Sequence, residues 1–335
     1  MLASADVVWA SWSADASWLA VWDGVTNGTP DERHLRLLDG TGQVVRALDG
    51  TRLVWLDSSR FVLFGGSAGG EAFLGSATST ELTPLEVDFS DALSNHHGTV
   101  AFIAFADAGA RTARTSFVLW SPSGTTQVLS GEPEAWTADG TRLAVWHYTT
   151  PGQSVGGQPS GWFEVLSWPD LHVLVSIKNV PSYWGPFSFD PSGRFLKVPV
   201  VSGSSVLDIS TGTMVGPSAS QVVADPVWDR AGHLIVPSLD GSGSVTFYSM
   251  IDGDAVRKTG LGDSAAASLD GSTVLLYFAA PGEGPVTLLR DGAPRTIPVP
   301  GPVEPTRDAL SDDGSGLVLV CRVGGQDEAL LFAAS

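Results

Sequence analysis

The stretch Trp136-Thr137-Ala138-Asp139-Gly140-Thr141-Arg142-Leu143-Ala144-Val145-Trp146 decides the fold of this chain. An aromatic anchor leads into Asp-Gly, a pair that tolerates positive φ and so marks a hairpin turn. A short apolar run follows, of strand length and without helical periodicity. The phrase recurs as WSADASWLAVW (Trp12 to Trp22), FDPSGRFLKVPV (Phe189 to Val200) and WDRAGHLIV (Trp228 to Val236). Weaker copies are SLDGSTVLLYF (Ser268 to Phe278) and LSDDGSGLVLV (Leu310 to Val320). WLDSSRFVLF (Trp55 to Phe64) and SNHHGTVAFIAF (Ser94 to Phe105) are degenerate copies.

The turn positions of these phrases are Ala16, Ser59, Gly98, Gly140, Gly193, Gly232, Gly271 and Gly314, at intervals of 43, 39, 42, 53, 39, 39 and 43 residues. A period near 40 with four short strands per unit is the signature of β-propeller blades. The residues up to Ala16 and those after Gly314 together number 37, nearly one more period. The expectation is an all-β, closed β-propeller of eight four-stranded antiparallel blades, with seven as the alternative. Strands from both termini close the ring and remove exposed edges; residues 1–5 are the candidate outer strand of the last blade, which otherwise has three. One domain spans 1–335, with units at about 1–49, 50–89, 90–131, 132–180, 181–221, 222–262, 263–302 and 303–335.

The fourth unit parses as strands over 135–138, 143–148, 162–168 and 171–178, with a loop at 149–161. That loop is the longest of its kind and accounts for the 53-residue interval. Loops on a rigid scaffold carry function.

Composition sets the limits. Hydrophobic residues make up 43% of the 335 residues and charged residues 16%, enough apolar material for a large core. The formal charge of −18 repels nucleic acid and anionic membranes, and only Arg257 and Lys258 are adjacent basic residues. No run of 18 apolar residues suggests membrane insertion. Residues 1–6 lack the features of a signal peptide, which favours a cytoplasmic protein, an excised extracytoplasmic domain being the alternative. The single cysteine, Cys321, sits in an apolar run and reads as a small core residue.

Motifs that could carry chemistry are weak. Gly65-Gly66-Ser67-Ala68-Gly69 matches G-x-S-x-G, but the following residues read as a strand where a nucleophile elbow needs a helix. His96-His97 replaces an Asp-Gly turn, and neighbours on a strand face opposite ways. His34, His147, His172 and His233 have no partner at metal-ligand spacing. Asp252-Gly253-Asp254 and Asp312-Asp313-Gly314 lack the downstream glutamate of a calcium loop.

The repeated phrases resemble the W-S-P-D-G units of TolB-type and WD-repeat-like propellers. The resemblance covers the chain end to end. The proline of that phrase is replaced at Ala14, Ala138 and Arg230 and kept at Pro191, and the Gly-His and Trp-Asp pair of WD repeats does not recur. It implies a rigid binding platform and transfers no functional residues.

The expected function is therefore a non-enzymatic scaffold, a monomer that binds a protein partner through the loops of one face. The partner-binding candidates are Gln153, Gln158, Trp162, Tyr183 and Trp184, which flank the largest departure from the repeat. The alternative is a small-ligand or cation-binding propeller, or a propeller enzyme, using a central channel. Asp88, Glu132, Glu134, Asp225 and Glu304 would then form an acidic ring at the channel mouth, with calcium as the candidate ion. No other cofactor and no catalytic or metal-ligating residue is expected.

Overall fold

A computed structural model of the chain describes residues 7–23, 34–50, 52–65, 71–85, 91–104, 116–124, 126–148, 154–155, 158–181, 186–200, 203–215, 226–238, 243–260, 262, 264–278, 285–301, 303–304, 310–323 and 326–333. Every regular element among them is a strand. The chain divides into two compact units, Phe89–Gly260 and the combination of Met1–Asp88 with Leu261–Ser335.

The strands form antiparallel sheets in chain order. The first sheet is β1 (Val7–Trp12), β2 (Trp18–Asp23), β3 (His34–Asp39) and β4 (Val44–Asp49). The second is β5 (Arg52–Trp55), β6 (Arg60–Gly65), β7 (Glu71–Ser76) and β8 (Leu82–Leu85). The third is β9 (Asp91–Ser94), β10 (Val100–Ala104), β11 (Ser116–Trp120) and β12 (Thr126–Ser130). The fourth has five strands: β13 (Glu132–Trp136), β14 (Arg142–Tyr148), β15 (Ser154–Val155), β16 (Gln158–Ser167) and β17 (Val173–Pro181). The fifth is β18 (Ser188–Phe189), β19 (Phe195–Val200), β20 (Gly203–Asp208) and β21 (Thr213–Val215). The sixth is β22 (Val227–Trp228), β23 (Leu234–Pro237), β24 (Val245–Tyr248) and β25 (Ala255–Thr259). The seventh is β26 (Ser264–Ala267), β27 (Thr273–Tyr277), β28 (Val286–Arg290) and β29 (Ala293–Ile297). The last is β30 (Val303–Glu304), β31 (Gly316–Val323) and β32 (Gln326–Ala333).

Among the described residues seven sheets therefore carry the four-strand blade pattern, one of them with an added strand, where the sequence predicted eight. The C-terminal sheet has three strands among the described residues. Its β31 and β32 are eight residues each. Residues 1–5, the candidate outer strand, lie outside the described residues. The two ends of the chain meet through packing: Val318 and Val320 of β31 share a core with Ala10, Trp12 and Leu19 of the first sheet.

The repeated turn owes its shape to a hydroxyl–carboxylate clip. In the first sheet Ser13 Oγ donates to Asp15, the Ser17 amide and hydroxyl donate to the same carboxylate, and the Trp18 amide donates to Ser13 Oγ. The same set recurs at Thr137, Asp139, Thr141 and Arg142, and at Ser311, Asp313, Ser315 and Gly316. These side chains satisfy amides that the tight turn leaves without ladder partners. Of the eight turn positions, Ser59 alone lacks a positive φ.

The turns nest. Gly314 (φ +65°) lies on the seventh sheet, where an added Cβ would fall 2.3 Å from Thr273 Oγ1. The repeated tryptophans bind neighbouring sheets as well. Trp55 donates its indole N–H to Ser11 O at 3.0 Å, Trp136 to Leu93 O at 3.3 Å and Trp228 to Ser188 O at 3.2 Å. Each ring fills the seam between two sheets while its polar edge finds a carbonyl there.

Candidate functional site

The fourth sheet exceeds what the repeat requires. β16 runs for ten residues and β17 for nine, against five, six and four for the corresponding strands β11, β20 and β24. The stretch at 149–161, expected as a loop, contributes β15 and the first four residues of β16. Ser154 pairs with Pro159 and Val155 with Gln158, and Ser160 pairs with Pro181 of β17. The result is a strand extension, here called the tongue. A propensity reading misses it because Gly, Ser, Gln and Pro dominate the segment; backbone pairing with β17 overrides those preferences.

Gly161 marks the base of the tongue. A Cβ there would lie 2.3 Å from both the His147 carbonyl and the Trp146 ring, so a larger residue would push β16 off β14. The strand pair also slips between Gly161 and Phe163, and this bulge turns the next residue, Trp162.

Trp162 stands opposite His147 in the β14–β16 register, and the two rings stack at 4.8 Å with planes 8° apart. His147 Nε2 lies 3.3 Å from Glu164 Oε2. On the other side Ser176 Oγ donates to Glu164 Oε1 at 3.3 Å. Burial pushes the His147 imidazole below its ordinary pKa of 6.5, although the adjacent Glu164 carboxylate pulls it the other way. Burial thus works against the charged form of the imidazole in this pair. His147 has no partner at ligand spacing along the chain; its partners come from β16, brought alongside by strand register. His233 likewise meets Asp229 at 2.8 Å inside its own turn.

Some of the other predicted residues lie on strands and some outside the described residues. Gln158 opens β16, and Gln153, Tyr183 and Trp184 lie outside the described residues. Asp88 and Asp225 also lie outside them. Glu304 is in β30, paired with Val320, whereas Glu132 and Glu134 share β13. Glu134 sits at the bulge between Pro133 and Ala135. Burial, with a contribution from the neighbouring Glu132, pushes its carboxyl up to about 8, so it holds a proton at neutral pH. Among the described residues no group of three His, Cys, Asp or Glu side chains is placed to hold a metal ion. His96 has φ +58° within its turn, and Cys321 is fully buried.

No family model matches the sequence, and no curated protein matches it. Solved structures do. The β-propeller domain of Cps50 (Swd1) from Myceliophteria thermophila aligns over 100% of this chain and 99% of its own, with a TM-score of 0.50 at 12% identity. The C-terminal WD40 domain of Sif2 aligns over 99% of this chain and 97% of its own, with a TM-score of 0.59 at 15% identity. At such identities the likeness speaks for the fold, and the fold it shows is that of the WD40 β-propellers.

Proposed function

We propose that this chain is a non-enzymatic protein-interaction platform whose partner docks on the extended fourth sheet. The tongue carries this reading: the repeat needs only four strands per unit, and among the described residues the fourth sheet alone has a fifth. Propeller domains of the WD40 kind serve generally as scaffolds. The expected anchors are Trp162 on β16 with Tyr183 and Trp184 beyond the end of β17, because aromatic side chains dominate the energetics of such contacts.

Affinity purification from the source cell tests the proposal, with the intact chain and a variant lacking residues 152–157. A partner retained by the intact chain and lost by the shortened one supports it. A partner that binds both equally, and also binds a Tyr183→Ala, Trp184→Ala double variant, rules the fourth sheet out as the docking face.

A further inference from the structure

Resting on that reading of the fourth sheet, we propose that Trp162, Glu164 and His147 form a seat for a basic side chain, arginine above all, presented by the protein partner. The cluster is built rather than incidental. The His147 imidazole covers one face of the Trp162 indole at 4.8 Å, and the indole is only half-buried, so its open part lies away from the imidazole. Glu164 stands two residues along the same strand, on the same face of the sheet. Its side chain keeps 24% of its surface open, and its contacts are with Ser176 Oγ and His147 Nε2, both at 3.3 Å. A carboxylate has about four acceptor positions, so this one retains capacity for the forked donors of a guanidinium.

An indole beside a carboxylate attracts a cation twice, through the ring quadrupole and through the ionic bond. Burial, which disfavours the charged imidazole, limits how far His147 offsets the carboxylate beside it. The whole chain, at −18, also steers a basic partner toward it. Lys178 of β17 is exposed, two residues along the strand from Ser176, and among the described residues it makes no ion pair with Glu164. It is a like charge for a basic ligand arriving at this sheet.

Calorimetric titration of the full chain tests the seat. The probe is a nine-residue peptide alternating glycine and arginine, at physiological salt; the control is the same peptide with glutamate for arginine. The arginine peptide should bind and the glutamate peptide should not. Glu164→Gln should weaken binding about tenfold, and Trp162→Ala by a similar factor, with Trp162→Phe intermediate. Lys178→Glu should tighten binding several-fold. Glu81→Gln, which removes one exposed charge from another sheet, should leave it unchanged. Because Trp162→Ala could disturb the stack, thermal melting accompanies each variant, and Glu164→Gln decides the question if Trp162→Ala fails to fold. No binding of the arginine peptide overturns the proposal. So does equal weakening by Glu164→Gln and Glu81→Gln, which reduces the effect to bulk charge. A natural partner lost on shortening the tongue but unaffected by Glu164→Gln would overturn the seat while leaving the platform standing.

Discussion

The indole N–H of Trp136 donates to the backbone carbonyl of Leu93 at 3.3 Å, across the seam between the third and fourth sheets. The same bond joins Trp55 to Ser11 and Trp228 to Ser188, so the tryptophan of the repeated phrase is a cross-sheet staple as well as core volume. Trp136→Phe keeps most of the volume and leaves the Leu93 carbonyl without its donor. It should cost about 1–2 kcal/mol, and Trp136→Ala about 3–5 kcal/mol. Denaturant unfolding of both variants separates the two contributions. A Trp136→Phe variant as stable as the parent would show that the bond adds nothing.

Gly314 and Gly292 both have positive φ, +65° and +80°, but differ in surroundings. A Cβ at Gly292 meets nothing within 4 Å, whereas at Gly314 it would strike Thr273 and Ser272. Gly292→Ala should cost roughly 1 kcal/mol from backbone strain alone. Gly314→Ala should cost at least about 2 kcal/mol, because the turn must also lift off the seventh sheet. Thermal melts of the pair compare strain with strain plus collision.

Glu134 gives the fold an alkaline weakness. Its carboxyl is raised from 4.5 to about 8 in the folded chain, first by burial and then by Glu132. Between those values the folded state keeps a proton that the unfolded state has released. This group's contribution is therefore fully present below about pH 4.5 and is lost as pH rises through about 8. Glu134→Gln should match the parent in stability near pH 4.5 and exceed it at pH 8 by more than about 1 kcal/mol. A difference that does not change with pH would mean that Glu134 is already ionised in the fold.

Asp208 sets the opposite limit. Arg194 grips its carboxylate, with Nη2 to Oδ2 at 2.7 Å, and Ser210 adds its hydroxyl and amide. Those bonds, led by the arginine, hold the carboxyl at about 2 against burial. The stabilisation is complete above the ordinary value of 3.8 and disappears as pH falls through about 2. Arg194→Met should shift the acid unfolding midpoint to higher pH, by loss of a charge-assisted pair to a buried acceptor. An unchanged midpoint, read by circular dichroism, would remove this pair from the acid response.

The Asp-Gly turns, the strand lengths and the repeat of about 40 residues were legible because each depends on local chemistry. A clip such as Thr137–Asp139–Thr141 closes within five residues, and a φ of +67° at Gly140 needs no distant partner. The three strands of the last sheet were legible too, while residues 1–5, the candidate fourth strand, lie outside the described residues. The tongue was hidden: Gly, Ser and Pro in 151–161 signal a loop until β17 offers them a ladder.

By itself the sequence determined that this is an all-β chain of repeated hairpins with a strongly acidic surface and one enlarged unit, because turn chemistry and alternation act over a few residues. Tertiary structure alone decided what the enlarged unit presents. His147, Trp162 and Glu164 lie on two strands separated by the tongue, and only the register of β14 on β16 stacks the rings at 4.8 Å and sets the carboxylate beside them. Register is a long-range choice made by the buried faces of the whole sheet, so no local spacing in the sequence records it.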